Sequence, residues 1–583
     1  VLVTLKYYGD KRAAASDLYK KFGRKKTKKK KPNEKSKPRE YKRVSSLKWN
    51  ISYEDIEDDV FWYVADIVKG NPKWKISGIK MMRLLSDVGF LIHFVAADEP
   101  KQLFFKKNNL VRPASPDYLL QFLKEYLKSA PPVNTIFEEE VFSSDPQHIS
   151  EIFLQGASRH LDDAKLNFLN TIDDMNYIRD TKEICYFCFD NKAIEVTQKG
   201  WKYIDYEKLP GTVSTKKTIE AEIKDTITQA DADGGEFAKF CKLVSSSREE
   251  QQDIDTETGE IISTKEIWIL NEEKFFSLKT CFGYLLHRYR DRSKSKYIYA
   301  TDETLKNLSE ASGGTGKMIV RQALGHLRNV TEIDGSNWDP SGPFATEQIN
   351  EDTEIVVIDE FDFTRVEEKK LFNMISEGVT IAKKYKDKKQ LAFEDSPKMY
   401  IASNTEPMNH GASSRRRRVG LEFSDYFGED HTPYDEFGHN LFADWSDEEW
   451  QYFYHFMFHC VQLYLSNGGP HEAQLQNMIK KHAIRATSSE FVDYFLNHIP
   501  FDTPISAADI AKNYNQLNGF RKDNALDSRT CGQWISKLIQ IYRLRYEKLR
   551  QMTEGKQSHT WIIRPEGTQL EGNADIQAHG ERS

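Results

Sequence analysis

The stretch EIVVIDEFDF, residues 354–363, decides how this chain folds. Ile355, Val356, Val357 and Ile358 form an apolar run with no polar interruption. A strand with one wet face alternates apolar and polar residues. An unbroken run predicts a strand covered on both faces, as in a parallel sheet flanked by helices. The run ends at Asp359 and Glu360. Ligands in open α/β sheets bind beyond the carboxyl ends of the strands, so two carboxylates there predict a site as well as a fold.

Outward from that strand, the texture from about 295 to 425 is short β runs separated by helical segments, which again predicts a parallel α/β sheet. About forty residues upstream lies SEASGGTGKM, 309–318. Gly313, Gly314, Thr315, Gly316 and Lys317 have the composition of a phosphate-binding loop: glycines let backbone N–H groups face phosphates, and the lysine reaches the β/γ oxygens. Two positions depart from the wider loop pattern. Ala311 stands where a glycine is expected, and Met318 stands where a Ser or Thr hydroxyl would reach Mg²⁺. Downstream, the apolar strand KMYIASN, 398–404, ends in Asn404, and SSRRRRVGLEF, 413–423, carries Arg415 to Arg418. Each piece has a plain alternative: a glycine-rich turn, a strand-end turn, a solvated arginine face. Their order and spacing favour phosphoryl-transfer chemistry. There Asp359 holds Mg²⁺ through water, Glu360 polarises the attacking water, Asn404 touches the γ-phosphate or its water, and arginine stabilises the spread negative charge.

The order loop, acidic strand, Asn strand, arginine resembles the superfamily three helicases of the AAA+ class. Between the acidic and Asn strands, TIAKKY (380–385) and QLAF (390–393) can pair as a hairpin around KDKK (386–389). In the resemblance this is the lysine-bearing hairpin that projects into a ring's channel, with Lys383, Lys384 and Lys386 as the DNA-gripping candidates. The similarity extends over roughly 150–565 to the phage and plasmid primase-helicases, a group that includes poxvirus and satellite-phage enzymes. It implies an AAA+ P-loop core, ATP and Mg²⁺ as cofactors, and a homo-hexameric ring on single-stranded DNA. Lys317 would bind phosphate, Asp359 the metal, Glu360 would be the base and Asn404 the sensor. Arg418, then Arg417, would act as the finger on ATP held by the neighbouring subunit.

The flanks divide as follows: 1–48, a basic tail; 49–210, an α+β region; 211–292, a helical collar; 293–435, the motor; 436–490, a helical connector; 491–565, a winged-helix-like module; 566–583, a polar tail. YVADIVKG (63–70) and YLLQFLKEYLKS (118–129) have helical spacing, SAPPVNTIF (129–137) reads as a linker, and 215–290 reads as mostly helical, interrupted at TETGE, a polar hairpin-like turn. Ser446 stands three residues before Glu449, a capping box opening a long apolar helix. Near the end, PISAADIAKNYNQL (504–517), DSRTCGQWISKLIQIYRL (527–544) and a terminal hairpin resemble a winged helix. Such a module places its second helix in the major groove, and Arg529, Gln533 and Lys537 share that helix's exposed face.

Composition removes several classes. Hydrophobic content of 39% and charged content of 30% suit a globular chain, and no apolar run reaches a membrane span. The net charge of −6 hides a basic start: residues 1–50 hold 18 Lys/Arg against 4 Asp/Glu, centred on RKKTKKKK (24–31), which suits phosphate backbones or a solvated tail. Six cysteines do not make a disulfide framework, and the Cys185/Cys188 pair lacks a second pair or nearby His for zinc, so packing is expected there. The expected compartment is the cytoplasm of a bacterial host. Residues 45–290 contain no Asp-x-Asp after an apolar strand and no zinc quartet, so priming is expected to be absent or to belong to a separate primase or polymerase. The functional reading is an ATP-driven replicative DNA helicase of a phage, plasmid or integrated element. Its alternatives are an AAA+ ATPase that loads or remodels replication partners, and a DNA-binding scaffold with a weakened motor.

Overall fold

The structure is a computed structural model. It describes residues 60–93, 101–254, 261–303, 314–385, 387–405, 407, 412–473, 480, 483–484, 486–520, 525–542, 544–553 and 556–564. The basic and polar tails and Ala311, Gly313 and Lys386 lie outside the described residues.

The centre is a five-stranded, all-parallel sheet. Its strands in chain order are β1 (Tyr297–Asp302), β2 (Val330–Asp334), β3 (Ile355–Asp359), β4 (Lys398–Ala402) and β5 (Arg418–Phe423). Across the sheet they run β2-β3-β4-β1-β5. Helix α1 (Lys317–Gly325) follows β1. The apolar run of β3 is covered on both faces, as its composition predicts. Ile355 and Val357 join one core with the helices, Val356 and Ile358 join another, and all four are fully buried. The strand order sets what can meet: β4, which leads to Asn404, lies between the acidic strand and the strand that feeds the glycine loop.

The first core is closed by two helices, Glu272–Leu286 and Asp447–Asn467. They touch at Gly283, where a Cβ would stand 2.3 Å from the Cys460 carbonyl and 2.4 Å from the Tyr464 Cβ. Only glycine fits that crossing. The Asp447 helix begins with half of the expected capping box: Ser446 accepts the Glu449 N–H, and the Glu449 side chain turns elsewhere. The Glu449 carboxylate accepts the Glu236 N–H, 2.5 Å away, tying this helix to Glu236–Val244. No helix among the described residues is long and apolar enough to cross a membrane. All six cysteines are free and buried, Cys185 and Cys188 inside a strand.

Three local expectations are corrected. YVADIVKG lies in strand Trp62–Val68, paired with Asn71–Ile76 through Lys69 (φ 53°) and Gly70 (φ 78°), a left-handed two-residue turn that suits hairpins. SAPPVNTIF ends in a strand of a second small hairpin, Asn134–Phe137 with Glu140–Ser143. The mostly helical region 215–290 contains a long antiparallel ribbon, Ser246–Ile254 with Ile261–Leu270, whose linking residues 255–260 lie outside the described set.

Burial of two imidazoles makes the fold acid-sensitive. Burial pushes His287 and His326 down to about 4, so the folded chain holds them neutral. The unfolded chain binds those protons from about pH 6.5 downward, so stability rises with pH across that window and is lost as pH falls from 6.5 towards 4. Melting followed between pH 7 and 4 is expected to show this decline. His287→Gln with His326→Gln should flatten it, and an unchanged slope would assign the acid sensitivity elsewhere.

Candidate active site

The glycine loop curls over the carboxyl end of β1. Gly314 (φ 94°) and Gly316 (φ 98°) take the left-handed conformation, and a Cβ on Gly316 would meet the Phe240 ring at 2.7 Å. That bend starts α1 at Lys317. The lysine ammonium lies 2.5 Å from Asp302 Oδ2 and 2.8 Å from Asn404 Oδ1. The hydroxyl of Thr315 donates to Asp302 Oδ1 at 2.5 Å. Asp302 is the last residue of β1 and is 7% exposed.

Asp359 and Glu360 end the acidic strand two places across the sheet. Asp359 Oδ1 accepts the N–H of Glu360 at 3.0 Å. Glu360 is exposed and has φ 53°, uncommon for a residue with a Cβ and a form of strain that clusters at functional sites. The turn is held from β4: Phe361 N–H donates to the Ala402 carbonyl, and the Ser403 hydroxyl donates back to the Phe361 carbonyl. Tyr400, buried in β4, links the two halves. Its hydroxyl reaches the Lys317 carbonyl at 3.3 Å. Burial first, then the charges of Asp359 and Asp302, push its phenol well above the ordinary range.

The structure therefore brings Thr315, Lys317 and Asn404 together and sets Asp359 and Glu360 at the same pole of the sheet. Met318 is half-buried in the first turn of α1. Sequence reasoning missed Asp302. The signal was available: KYIYATD is an apolar run ending in a carboxylate, as the acidic strand is. Asp302, Asp359 and Thr315 offer hard oxygens, but among the described residues no cluster of three or more His, Cys, Asp or Glu side chains is placed to hold a metal ion, and both Asp302 oxygens are engaged by Thr315 and Lys317.

The arginines sit at the opposite pole. The Tyr297 N–H donates to the Arg417 carbonyl, so the run flanks the start of β1. Strands of five or six residues span about 17–20 Å, which separates these side chains from the loop within one subunit. Arg418 is 8% exposed and pairs with Glu368 at 3.8 Å. Arg417 donates to Ser376 Oγ and Ser413 and covers the Phe372 ring. Arg415 and Arg416 are exposed.

The hairpin between β3 and β4 is shorter than TIAKKY with QLAF allows. Only Thr380–Ile381 and Lys389–Gln390 pair as strands, and Leu391 adds one bond to Val379. Lys384 is exposed in the tip, and Lys383 donates to Asn350 Oδ1 at 2.5 Å. In the C-terminal module, helices Ala507–Leu517 and Ser528–Ile541 precede the ribbon Arg545–Thr553 with Lys556–Arg564, joined by Ile505–Ser506 as a third strand. Arg529, Gln533 and Lys537 are exposed along one helix, while Ile535 and Leu538 are buried.

No family model matches the chain, and no curated protein matches it. Among solved structures, two apo A-form structures of the NrS-1 C-terminal region, one of them given as CTR(305-718), align at 12% identity and a TM-score of 0.31. They cover 83% of this chain and 98% and 99% of their own. At that TM-score the likeness carries no argument about fold or activity.

Proposed function

We propose that the chain is an ATP-dependent DNA helicase of the superfamily three, AAA+ type, serving replication of a phage, plasmid or integrated element. The observation that carries the reading is Lys317, delivered by a left-handed glycine bend to within 2.8 Å of Asn404 Oδ1 at the carboxyl pole of a parallel sheet. A lysine in that setting binds β/γ phosphates, and Asn404 stands where it can feel the terminal one. Glu360 orients and deprotonates the attacking water. Asp359, with Asp302 or Thr315 beside the loop, would offer oxygen to Mg²⁺, which when bound would offset charge on the phosphates. The separation of the arginines from the loop supports a finger supplied to a neighbouring subunit of a ring, as the family resemblance implies. Burial of Arg418 and the contacts of Arg417 move the choice to Arg415 and Arg416. The two-helix-and-ribbon module supports a winged helix, with Arg529, Gln533 and Lys537 facing DNA. Forked DNA with ATP tests the whole reading: strand displacement is expected with ATP and Mg²⁺ and lost on Lys317→Ala. Nucleotide hydrolysis without strand displacement would favour a loader of other replication proteins.

Met318 sets an internal test of the metal. Met318→Ser places a hydroxyl in the first turn of α1, where phosphate loops use one as a Mg²⁺ ligand. The half-saturating Mg²⁺ concentration for ATP hydrolysis is expected to fall several-fold. Superimposable titrations would show that another oxygen, from Asp302 or water, already serves the metal.

A further inference from the structure

A cavity of about 230 Å³ opens where β1 and β4 begin, at the pole of the sheet away from the glycine loop. Helix Glu272–Leu286 contributes Tyr284, the loop after it contributes Tyr289, Arg290 and Lys294, and helix Asp447–Asn467 contributes Tyr464. Lys398, the first residue of β4, joins the lining. Two of these cations are buried: Lys398 is 3% exposed and Arg290 7%. They bond to backbone carbonyls, Lys398 to those of Tyr284, at 2.7 Å, and His287, and Arg290 to those of Ile375, Ser396 and Pro397. Among the described residues neither has a carboxylate within ion-pair distance.

Buried charges are ordinarily paired. Carbonyls satisfy N–H groups but offset little charge, since the whole carbonyl end of a helix amounts to about half an elementary charge. The lining carries four cations, Lys182, Arg290, Lys294 and Lys398, against Glu183 and Asp291. Glu183 is exposed to water, and Asp291 Oδ1 is taken by the Ser293 N–H and hydroxyl, at 2.8 and 2.6 Å. Lys182 and Lys294 are exposed, and Lys294 gives one N–H to the Gly468 carbonyl at 3.1 Å. Donors remain for a ligand: two N–H groups of Lys398 go to carbonyls, which leaves a third, and Arg290 Nε has no acceptor among the described residues. Burial, then the charge of Arg290, holds the Lys398 ammonium well below the ordinary lysine range, and the charge of Asp180 opposes this without reversing it. An anion beside Lys398 relieves that cost.

We infer that this cavity binds a small phosphate-bearing anion, with the phosphate on Lys398 and Lys294 and the organic part against the rings of Tyr289 and Tyr464. A phosphate monoester carries about −1.5 to −2 at pH 7 and three acceptor oxygens, which matches two buried cations as a single carboxylate does not. Lysine serves phosphate as a point charge. The volume lies below the about 300–1,000 Å³ of drug-sized pockets, so the ligand is small. The site is distinct from the glycine loop and stands whether or not the chain hydrolyses ATP.

Calorimetric titration of the full chain carrying Lys317→Ala, which removes the lysine of the glycine loop, tests this with phenyl phosphate, inorganic phosphate and benzoate. Phenyl phosphate is expected to bind at one per chain and to raise the melting temperature. It should bind several-fold more tightly than inorganic phosphate, because a ring stacked on tyrosine adds to the charge. It should exceed benzoate, which has the same ring and one charge, by about tenfold or more. Lys398→Met should abolish the binding. Because that change also uncaps two carbonyls, Lys294→Glu is the second variant: its side chain is exposed, so the free protein should melt as the parent does while affinity falls about tenfold. Absence of saturable binding by both phosphates would overturn the inference. So would equal affinity for phenyl phosphate and benzoate, or for phenyl phosphate and inorganic phosphate. Binding that survives both Lys398→Met and Lys294→Glu would overturn it too, by placing the anion elsewhere on the chain.

Discussion

Glu360→Gln is expected to bind ATP as tightly as the parent chain and to hydrolyse it about 10²–10⁴-fold more slowly, the usual contribution of a positioned general base. The amide keeps the size of the side chain but cannot take a proton from water. Asp359 keeps its carboxylate and its bond to the residue-360 N–H, so the metal side of the pole is preserved. Glu360 is exposed, so the replacement removes no packing. Nucleotide binding by calorimetry beside steady-state hydrolysis separates the two steps. Turnover at the parental rate would remove Glu360 from the chemistry and transfer the search for a base to Asp302 or a second water.

The largest effect is expected from the arginine run. Replacing Arg415 and Arg416 together by Ala should lower turnover by about 10³-fold or more, as loss of an arginine finger does, with nucleotide binding retained. The diagnostic step is mixing. A ring assembled from Glu360→Gln subunits and Arg415→Ala/Arg416→Ala subunits contains some interfaces with an intact base on one side and intact arginines on the other. Such mixtures are expected to regain activity that neither parent has. Arg418→Ala should behave differently. It removes one partner of a buried pair with Glu368, a class of change that costs about 3–5 kcal/mol, so it should lower the melting temperature first. Failure of the mixtures to recover hydrolysis would place the finger outside this run or the chemistry within one subunit.

The central sheet was legible in the sequence because its strands are covered on both faces. Ile355 to Ile358 could belong to nothing with a wet side, whereas the order of the strands across the sheet, which puts β4 between β3 and β1, depends on pairing that the sequence does not state. One cap was equally readable: Ser446 begins its helix and accepts the Glu449 N–H. What failed was short or wet. YVADIVKG is eight residues, too few to separate a period of 2 from 3.6, and the deciding feature was the backbone of Lys69 and Gly70. SSREEQQDI shows no apolar alternation because a two-stranded ribbon with little core contact does not demand it, and Glu and Gln then read as helix formers. The differing surroundings of the four consecutive arginines were not in the sequence: the pairing of Arg418 with Glu368, fifty residues upstream, exists only in the fold.

The pairing of Lys317 with Asp302 bears on product release in the proposed cycle. The lysine is never idle in the nucleotide-free chain, so phosphates gain it by exchange, and the affinity they realise is that of lysine for phosphate less that of lysine for Asp302. The same subtraction operates after cleavage. A diphosphate makes fewer contacts than a triphosphate, while the hold of the carboxylate on the lysine is unaltered, so the balance tips towards recapture. In the proposed cycle Asp302 would compete with product for the lysine, and a motor built on this loop would release its diphosphate faster than one whose lysine rests unpaired.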